Sequence, residues 1–588
     1  MIRDNKKQRV LLVTALKDKN KSYLKKPLVV TGIGCIKYLD IDFINSDVII
    51  LKNHLKKENL SKNFSYINNI YNNYLIEITH FLNKIHKVNY SLDYWKVIIG
   101  PWLKHFIFIV YDRLQNINLI KKKYDISHVK IKNYLEKDFL FNDYNDFDSK
   151  NHTDQWNNII YDQIIQSLKY FKVKKFNQIE NNDRLIKKKI NLLSILFLGV
   201  NKFLSLFVRK NNSFFINTYL SKLKLSLLQL KLKQIPFFPE EFIKLKFKKN
   251  IQFRVKKNKN NRDTFELVLD SIILKHFPKI YLEGYKETIK LIDTLSWPTK
   301  PRFIYSSNSF FNDDVFKIYL AEQKRRNNTK IISGQHGGGY FSSKYFFIQD
   351  LQLDISDFIL TWGFKKKLSD KFVPMFNFLN ANKYKKKNYM NNNNLLFIDY
   401  ELSRFSNRLG ISMFQDKKHL ELLEDRFVFL KKISNNILNS TIVKLYPIDY
   451  GWCTKERFYD RGVKCKFSSR DESFLKLLNS SKICVTNLNS TTYLQSLNLN
   501  HPTVIFFNKN IELTNEEFSL SLKVLKKVGI FFNTPEEAAN HINLIWNSID
   551  SWWSSKKVQN AVNFFCNKYS KRSNNKVNDL NNFFKGFY

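Results

Sequence analysis

His336 sits in Ile331-Ile332-Ser333-Gly334-Gln335-His336-Gly337-Gly338-Gly339-Tyr340-Phe341-Ser342-Ser343, a stretch whose residue types suit proton transfer beside a closely approaching backbone. The chain has only 15 glycines in 588 residues. Clustering Gly334, Gly337, Gly338 and Gly339 around one histidine therefore marks a sharp turn or a near contact. The imidazole could serve as a general base or hydrogen-bond donor, Gln335 beside it is read as a second catalytic residue, and the amides of Gly337, Gly338 and Gly339 could face an anion. A glycine turn around a structural histidine is the competing reading. No Gly-Lys-Ser/Thr follows, and neither a GxGxxG nor a GxSxG motif occurs, which removes the P-loop, dinucleotide-fingerprint and serine-hydrolase readings.

A second constellation is Thr486-Asn487-Leu488-Asn489-Ser490-Thr491-Thr492, a turn between an apolar run and a helix expected from Thr491 to about Leu499. Free amides and the helix dipole favour an anion there, and Ser490, Thr491 and Thr492 add hydroxyl donors. Ordinary N-capping explains the same residues. Lys444-Leu445-Tyr446-Pro447 puts a cation and a phenol after a neighbouring apolar run, which Pro447 terminates. Arg457 could clamp a phosphate in bidentate fashion or could lie on a solvated helix face. No acidic pair or DxD-like motif stands out, so no metal is expected. The tryptophans around Gly100-Pro101 (Trp95, Trp102) read as a packed corner.

The elements that must position these groups follow from periodicity. Short β-branched runs at Val10–Thr14, Leu28–Thr31, Pro301–Tyr305, Thr329–Ser333 and Asp357–Gly363 predict strands of a parallel sheet, with His336 just past the carboxyl end of the fourth. Gly32 and Gly34 follow the second. Residues 43–300 read as an α-rich insertion, with the apolar stretch Ile190–Val208 as one or two buried helices. KYKKKNYMNNNN at 383–394 lacks an apolar face and reads as a linker. Beyond it, runs at Leu395–Ile398, Ile442–Leu445, Ile483–Thr486 and Thr503–Phe507 restart the rhythm as a second Rossmann-like domain over 395–545, and 546–588 form a helical tail. Ligands of such sheets bind at the carboxyl ends of the strands.

The formal charge of +45 is spread along the whole chain, and hydrophobic and aromatic residues make up 44% and 15% of it. Disorder is thereby excluded. The scattered lysines match a compositional bias toward Lys, Asn and Ile, or an anionic partner, and no nucleic-acid module is visible. Five cysteines, with no CxxC pair, point to a reducing compartment and no zinc site. No signal-peptide core and no uninterrupted membrane span is read, so a cytoplasmic location is expected, with peripheral contact to an anionic membrane face left open.

Six pieces, in order, carry a resemblance: Leu12-Val13-Thr14-Ala15-Leu16, Gly100-Pro101-Trp102-Leu103, Gln335-His336-Gly337-Gly338, Leu445-Tyr446-Pro447 with Asp449-Tyr450-Gly451-Trp452, Asn487–Thr492, and Val528-Gly529-Ile530. The chain resembles the surface-carbohydrate transferase family of O-antigen gene clusters, least over about 130–290. More distantly it is similar to capsule polysaccharide glycosyltransferases and CDP-glycerol glycerophosphotransferases. The resemblance implies an α/β fold of GT-B type: two Rossmann-like domains facing a cleft, here 1–382 with the insertion and 395–545. It implies a metal-independent, cofactor-free reaction with His336 as base and Ser490, Thr491 and Thr492 on the donor phosphate. Many relatives carry His-Pro where this chain has Tyr446-Pro447, and many GT-B enzymes a ribose-binding glutamate where Gln495 is nearest. The expected partners are a nucleotide-sugar donor and a glycan or lipid-linked glycan acceptor. A polyol-phosphate transferase and a non-catalytic, membrane-associated assembly protein are the alternatives.

Overall fold

The computed structural model describes residues 7–18, 21–36, 38, 47–52, 59–177, 192–254, 262–366, 369–380, 392–407, 415–508 and 513–588. Three parallel sheets organise them. The first contains β1 (Arg9–Leu12), β2 (Leu28–Val30), β3 (Val48–Ile50), β4 (Ile126–Lys132) and β5 (Val173–Phe176), in the order β3-β2-β1-β4-β5. The second runs β10-β9-β8-β7-β6 and is built from β6 (Phe214–Ile216), β7 (Phe303–Ser306), β8 (Lys330–Gly334), β9 (Phe358–Thr361) and β10 (Phe372–Pro374). The third contains β11 (Leu395–Ile398), β12 (Thr441–Lys444), β13 (Lys466–Phe467), β14 (Ile483–Thr486), β15 (Thr503–Phe506) and β16 (Phe531–Phe532), in the order β13-β12-β11-β14-β15-β16.

The α/β class and the pair of Rossmann-like units across a cleft, the GT-B arrangement, are present. The N-terminal half differs from the expected single sheet with an α-rich insertion. Strands β3 to β6 all fall inside 43–300 and complete two separate sheets. Their pattern was hard to read because β4 and β5 carry lysines and a histidine within runs of mixed burial. The 383–391 part of the linker lies outside the described residues.

The helical part of 43–300 does include a long antiparallel-length pair, α1 (Leu60–His86) and α2 (Leu92–Lys123), packed on the first two sheets. Gly100-Pro101-Trp102 is not a corner: Pro101 lies inside the continuous α2, with Trp95 and Trp102 fully buried. Next come α3 (Tyr144–Lys150), α4 (Asp154–Leu168), α5 (Leu192–Ser205) and α6 (Lys222–Lys231). The expectation of a buried Ile190–Val208 fails at its described end, where Val200, Phe203, Leu206 and Phe207 are exposed.

Later helices hold the site. They are α7 (Phe347–Ile355), α8 (Gln415–Lys432), α9 (Thr491–Asn498), α10 (Lys556–Tyr569) and α11 (Lys576–Phe584). The tail returns to the second sheet: Phe584 stacks on Phe303 at 4.6 Å, and Lys571 N–H donates to the Trp362 carbonyl at 2.8 Å. One apolar core thus joins Tyr305, Ile332 and Trp362 of the second sheet to Leu497, Ile505 and Phe531 of the third unit and to Phe565 and Phe584 of the tail. Burial on this scale, at roughly 25 cal/mol per Å², ties these two units into one body.

Candidate active site

A cleft of ≈ 640 Å³ lies between the carboxyl end of β8 and those of β11, β12 and β14. Strand order reverses between β11 and β14, so this is where an open α/β sheet leaves a crevice. His336, Gly337 and Gly338 line it from one side, and Lys444, Tyr446, Ser490, Thr491 and Thr492 from the other. Residues 336 and 491 come from different sheets, yet the fold brings their loops into direct contact.

The hydrogen bonds behind His336 determine its tautomer. Gln352 on α7 donates Nε2–H to the Ser307 carbonyl at 3.4 Å, which turns its Oε1 toward Tyr340. The Tyr340 hydroxyl gives its one proton to that oxygen at 2.6 Å. Its oxygen, 2.8 Å from His336 Nδ1, is left to accept. Nδ1 of the neutral imidazole therefore carries the hydrogen and Nε2 the lone pair. Burial raises the Tyr340 pKa well above that of an ordinary phenol, which keeps the relay uncharged.

The glycines and the Ser-Thr-Thr turn form a clasp. Gly338 N–H donates to Thr491 Oγ1 at 2.8 Å. A Cβ on Gly338 would stand 2.6 Å from the Ser490 carbonyl carbon and 2.7 Å from Thr491 N. Only glycine permits this approach. Asn489 Nδ2 donates to Ser342 Oγ at 3.1 Å, and Asn515 N–H to the Ser342 carbonyl at 2.9 Å, extending the seam. Ser490 is the N-cap residue of α9 but makes no side-chain cap bond; its hydroxyl instead pairs with that of Thr492 at 2.9 Å. Ordinary capping, the plain reading of these residues, is not what they do. The first-turn amides of α9 keep their positive potential at the cleft wall.

Around this centre the remaining expected residues divide. Lys444 reaches the cleft, but its Nζ donates to the Leu445 and Arg470 carbonyls at 3.0 and 3.1 Å, and burial lowers its pKa. Tyr446 packs its ring against Tyr400 at 4.6 Å and Tyr450 at 6.2 Å, and its carbonyl accepts from Arg470. Gln335 is a strut: its Nε2 donates to the Gly337 carbonyl at 3.1 Å, and its Oε1 accepts from Trp362 N–H at 2.9 Å. Gly339 supplies a left-handed turn, φ 90°, whose carbonyl accepts from Ser343 N–H at 3.0 Å.

Asn487 is buried and donates to the Leu422 carbonyl on α8 at 2.9 Å. Gln495 faces Asn380, 3.4 Å away, and is not among the residues lining the cleft. Arg457 also lies outside it, donating to the Trp452 carbonyl at 2.7 Å and stacking over Tyr38 at 3.9 Å.

The cleft also has walls that sequence reading missed. Asp148 of α3 and His152 reach it from the first unit, within the stretch read only as an α-rich insertion. Asp399, Tyr400 and Glu401 follow β11 at the strand-order reversal, and a strand-end rule applied to β11 would have singled them out. Glu401 is buried; burial raises its pKa, while Thr454 Oγ1 and Arg470 Nη2 donate to it at 3.0 and 2.9 Å. Among the described residues no group of three or more His, Cys, Asp or Glu could hold a metal ion.

The fold and this cleft define an α/β protein of Rossmann-like units whose loops meet at one crevice. The chain belongs to the LIC12162 family of transferases, whose sequence model matches residues 9–584. No curated protein matches it. Among solved structures, the UDP complex of S. aureus MnaA is similar at 10% identity over 64% of this chain and 96% of that one, with a TM-score of 0.35. UDP-GlcNAc 2-epimerase from Neisseria meningitidis, bound to UDP-GlcNAc, is similar at 11% identity over 60% and 98%, with a TM-score of 0.30. A wall teichoic acid polymerase, TagF, is similar at 8% over 51% and 83%, with a TM-score of 0.29.

Proposed function

We propose that this transferase moves a glycosyl group from a nucleotide-activated donor to a hydroxyl of a surface glycan or its lipid-linked precursor. The observation that carries the reading is the clasp, which sets an imidazole of defined tautomer beside an uncapped helix terminus in one cleft. His336 Nε2 takes the proton of the acceptor hydroxyl as its oxygen attacks the anomeric carbon. The bond from that carbon to the donor phosphate oxygen breaks, and its electron pair leaves with the nucleoside diphosphate. The amides of α9 and the hydroxyls of Ser490, Thr491 and Thr492 stabilise the charge that develops there. Nδ1–H remains bonded to Tyr340, whose oxygen supports the imidazolium that forms.

Tyr400, Tyr446 and Tyr450 give the cleft an aromatic wall for a ring of the donor. The ribose contact that Gln495 would have made has no support in its position against Asn380.

Thermal-shift screening against UDP-, GDP-, CMP-, CDP- and dTDP-linked donors should identify one that stabilises the protein. With that donor, His336→Ala should lower transfer by about 10²–10⁴-fold and keep the donor-induced shift. Full activity in that variant refutes the base. Release of CMP from a CDP-linked polyol, with the second phosphate carried to the acceptor, would identify polyol-phosphate transfer. The absence of any stabilising donor would favour an assembly role.

A further inference from the structure

The described end of helix α5 is built inside out. Its polar Asn201 faces the protein, donating Nδ2–H to the Phe238 carbonyl at 2.7 Å and accepting Phe238 N–H at 3.0 Å. Val200 and Phe203, with Leu206 and Phe207 in the turn that follows, point outward and are 57%, 61%, 75% and 46% exposed. Spacing by three and four puts Val200, Phe203 and Phe207 on one stripe, and the two phenyl rings meet at 5.3 Å. A surface helix normally does the reverse.

Its neighbour repeats the feature. Leu225, Leu228 and Leu232 of the α6 region enter the core, while Leu223, Leu227 and Leu230 form a second leucine face that is exposed. Gln229 on α6 bonds Phe237 through both N–H and carbonyl, and Asn201 on α5 bonds Phe238, so two consecutive residues tether both helices to one stretch of chain. Basic residues predominate in this segment. From Leu192 to Pro239 the sequence has seven Lys and Arg residues and no Asp or Glu. Lys202, Arg209 and Lys210 lie exposed beside the apolar stripe.

We infer that the outward face of α5 and α6 is an interfacial anchor for an anionic lipid bilayer. Exposed Phe and Leu side chains enter the boundary between headgroups and acyl chains, while the rim of lysines and arginines meets lipid phosphates. Among the described residues no helix is long and apolar enough to cross the bilayer, so the contact is peripheral. The basic excess beside the stripe, with Lys202, Arg209 and Lys210 exposed, selects this occupant: a second copy of so basic a surface would meet its own charge, whereas anionic lipid complements it. The inference does not depend on the transfer reaction.

The test is flotation of the full chain with vesicles of phosphatidylglycerol and phosphatidylcholine, against vesicles of phosphatidylcholine alone. The protein should float with the first and not the second, and added salt should weaken it. Phe203→Ser combined with Leu206→Ser should reduce flotation about tenfold with the thermal midpoint kept. If that pair fails to fold, Leu223→Ser with Leu227→Ser on α6, or Lys202→Gln with Arg209→Gln and Lys210→Gln, should give the same loss. Equal flotation with both vesicle types, or none, overturns the anchor. So does a dimer in sedimentation that these substitutions dissociate without any vesicle binding.

Discussion

The first and third sheets share one strand order around their centres, β3-β2-β1-β4 and β13-β12-β11-β14, and so each should leave a ligand crevice at its carboxyl edge. Only one is open. In the third unit the crevice is the ≈ 640 Å³ cleft, whereas at the first sheet a cavity of ≈ 30 Å³ remains. Residues 404–406 fill it. Arg404 donates to the Gly34 carbonyl and the Tyr450 carbonyl, each at 2.7 Å, and pairs with Asp154. Phe405 packs with Leu12, Val30 and Cys35, and Arg113 donates to the Ser406 carbonyl at 2.8 Å. The same connection that begins at Asp399 and Glu401 in the open cleft ends as the plug of the other. Identical topology thus provides a possible site, and the loops decide whether it is used for binding or for docking one unit on another.

Substitution of one crowded glycine at each crevice would break this comparison most sharply. Gly338→Ala forces a Cβ into the backbone of Ser490 and Thr491. Transfer should fall by more than about 10²-fold, and the donor-induced thermal shift should vanish with it. A variant that retains both would show that the clasp is dispensable. Gly34→Ala meets the Arg404 carbonyl oxygen at 2.1 Å in the plugged crevice. It should cost about 1–3 kcal/mol of stability in denaturant unfolding while leaving the donor shift in place. Loss of donor binding without loss of stability would mean that the plugged crevice also serves the ligand.

A smaller effect is expected from Tyr340→Phe, which removes the hydroxyl between His336 and Gln352. Transfer should drop about tenfold with little change in donor KM, and the acid limb of the pH–rate profile should move. An unchanged profile would show that the relay does not set the imidazole.

The smallest effect is on the pH dependence of stability. Burial lowers the His276 pKa to about 3 and the His86 pKa to about 4 in the N-terminal half, and that of His501 to about 3 in the third unit. Each stays neutral when folded while its unfolded form takes up a proton near pH 6.5, so stability falls as pH drops from 6.5 toward 4. Asp143 works the other way. Burial and the neighbouring Asp314 push its pKa up to about 7, so its contribution, present below about pH 4, is lost as pH rises through 7. In thermal melts from pH 5 to 7, His276→Phe should flatten the rise in midpoint and Asp143→Asn should steepen it.

Much of the site could be read in advance because its motifs are local. His336 with Gly337 and Gly338, and Ser490 with Thr491 and Thr492, end up on opposite walls of one cleft, where strand-end reasoning placed them. Gln335 and Asn487 look equally chemical in sequence but point into the protein as struts. Gln495 follows the same turn, yet the helical rotation carries it to Asn380. Strands β4 and β5 carry little apolar signal because lysines occupy half-buried positions of β4 and exposed positions of β5.

The sequence by itself determined the alternation of apolar runs and helices, the four central strands of the third unit, and the two loops that would carry chemistry. Those depend on side chains within one or two turns of each other. Tertiary structure alone decided the contact of Gly338 with Thr491 across 153 positions, the plugging of one crevice by Arg404 from 370 positions away, and the outward face of α5. Such contacts depend on which surfaces meet after the sheets have packed, and periodicity along the chain carries no record of that meeting.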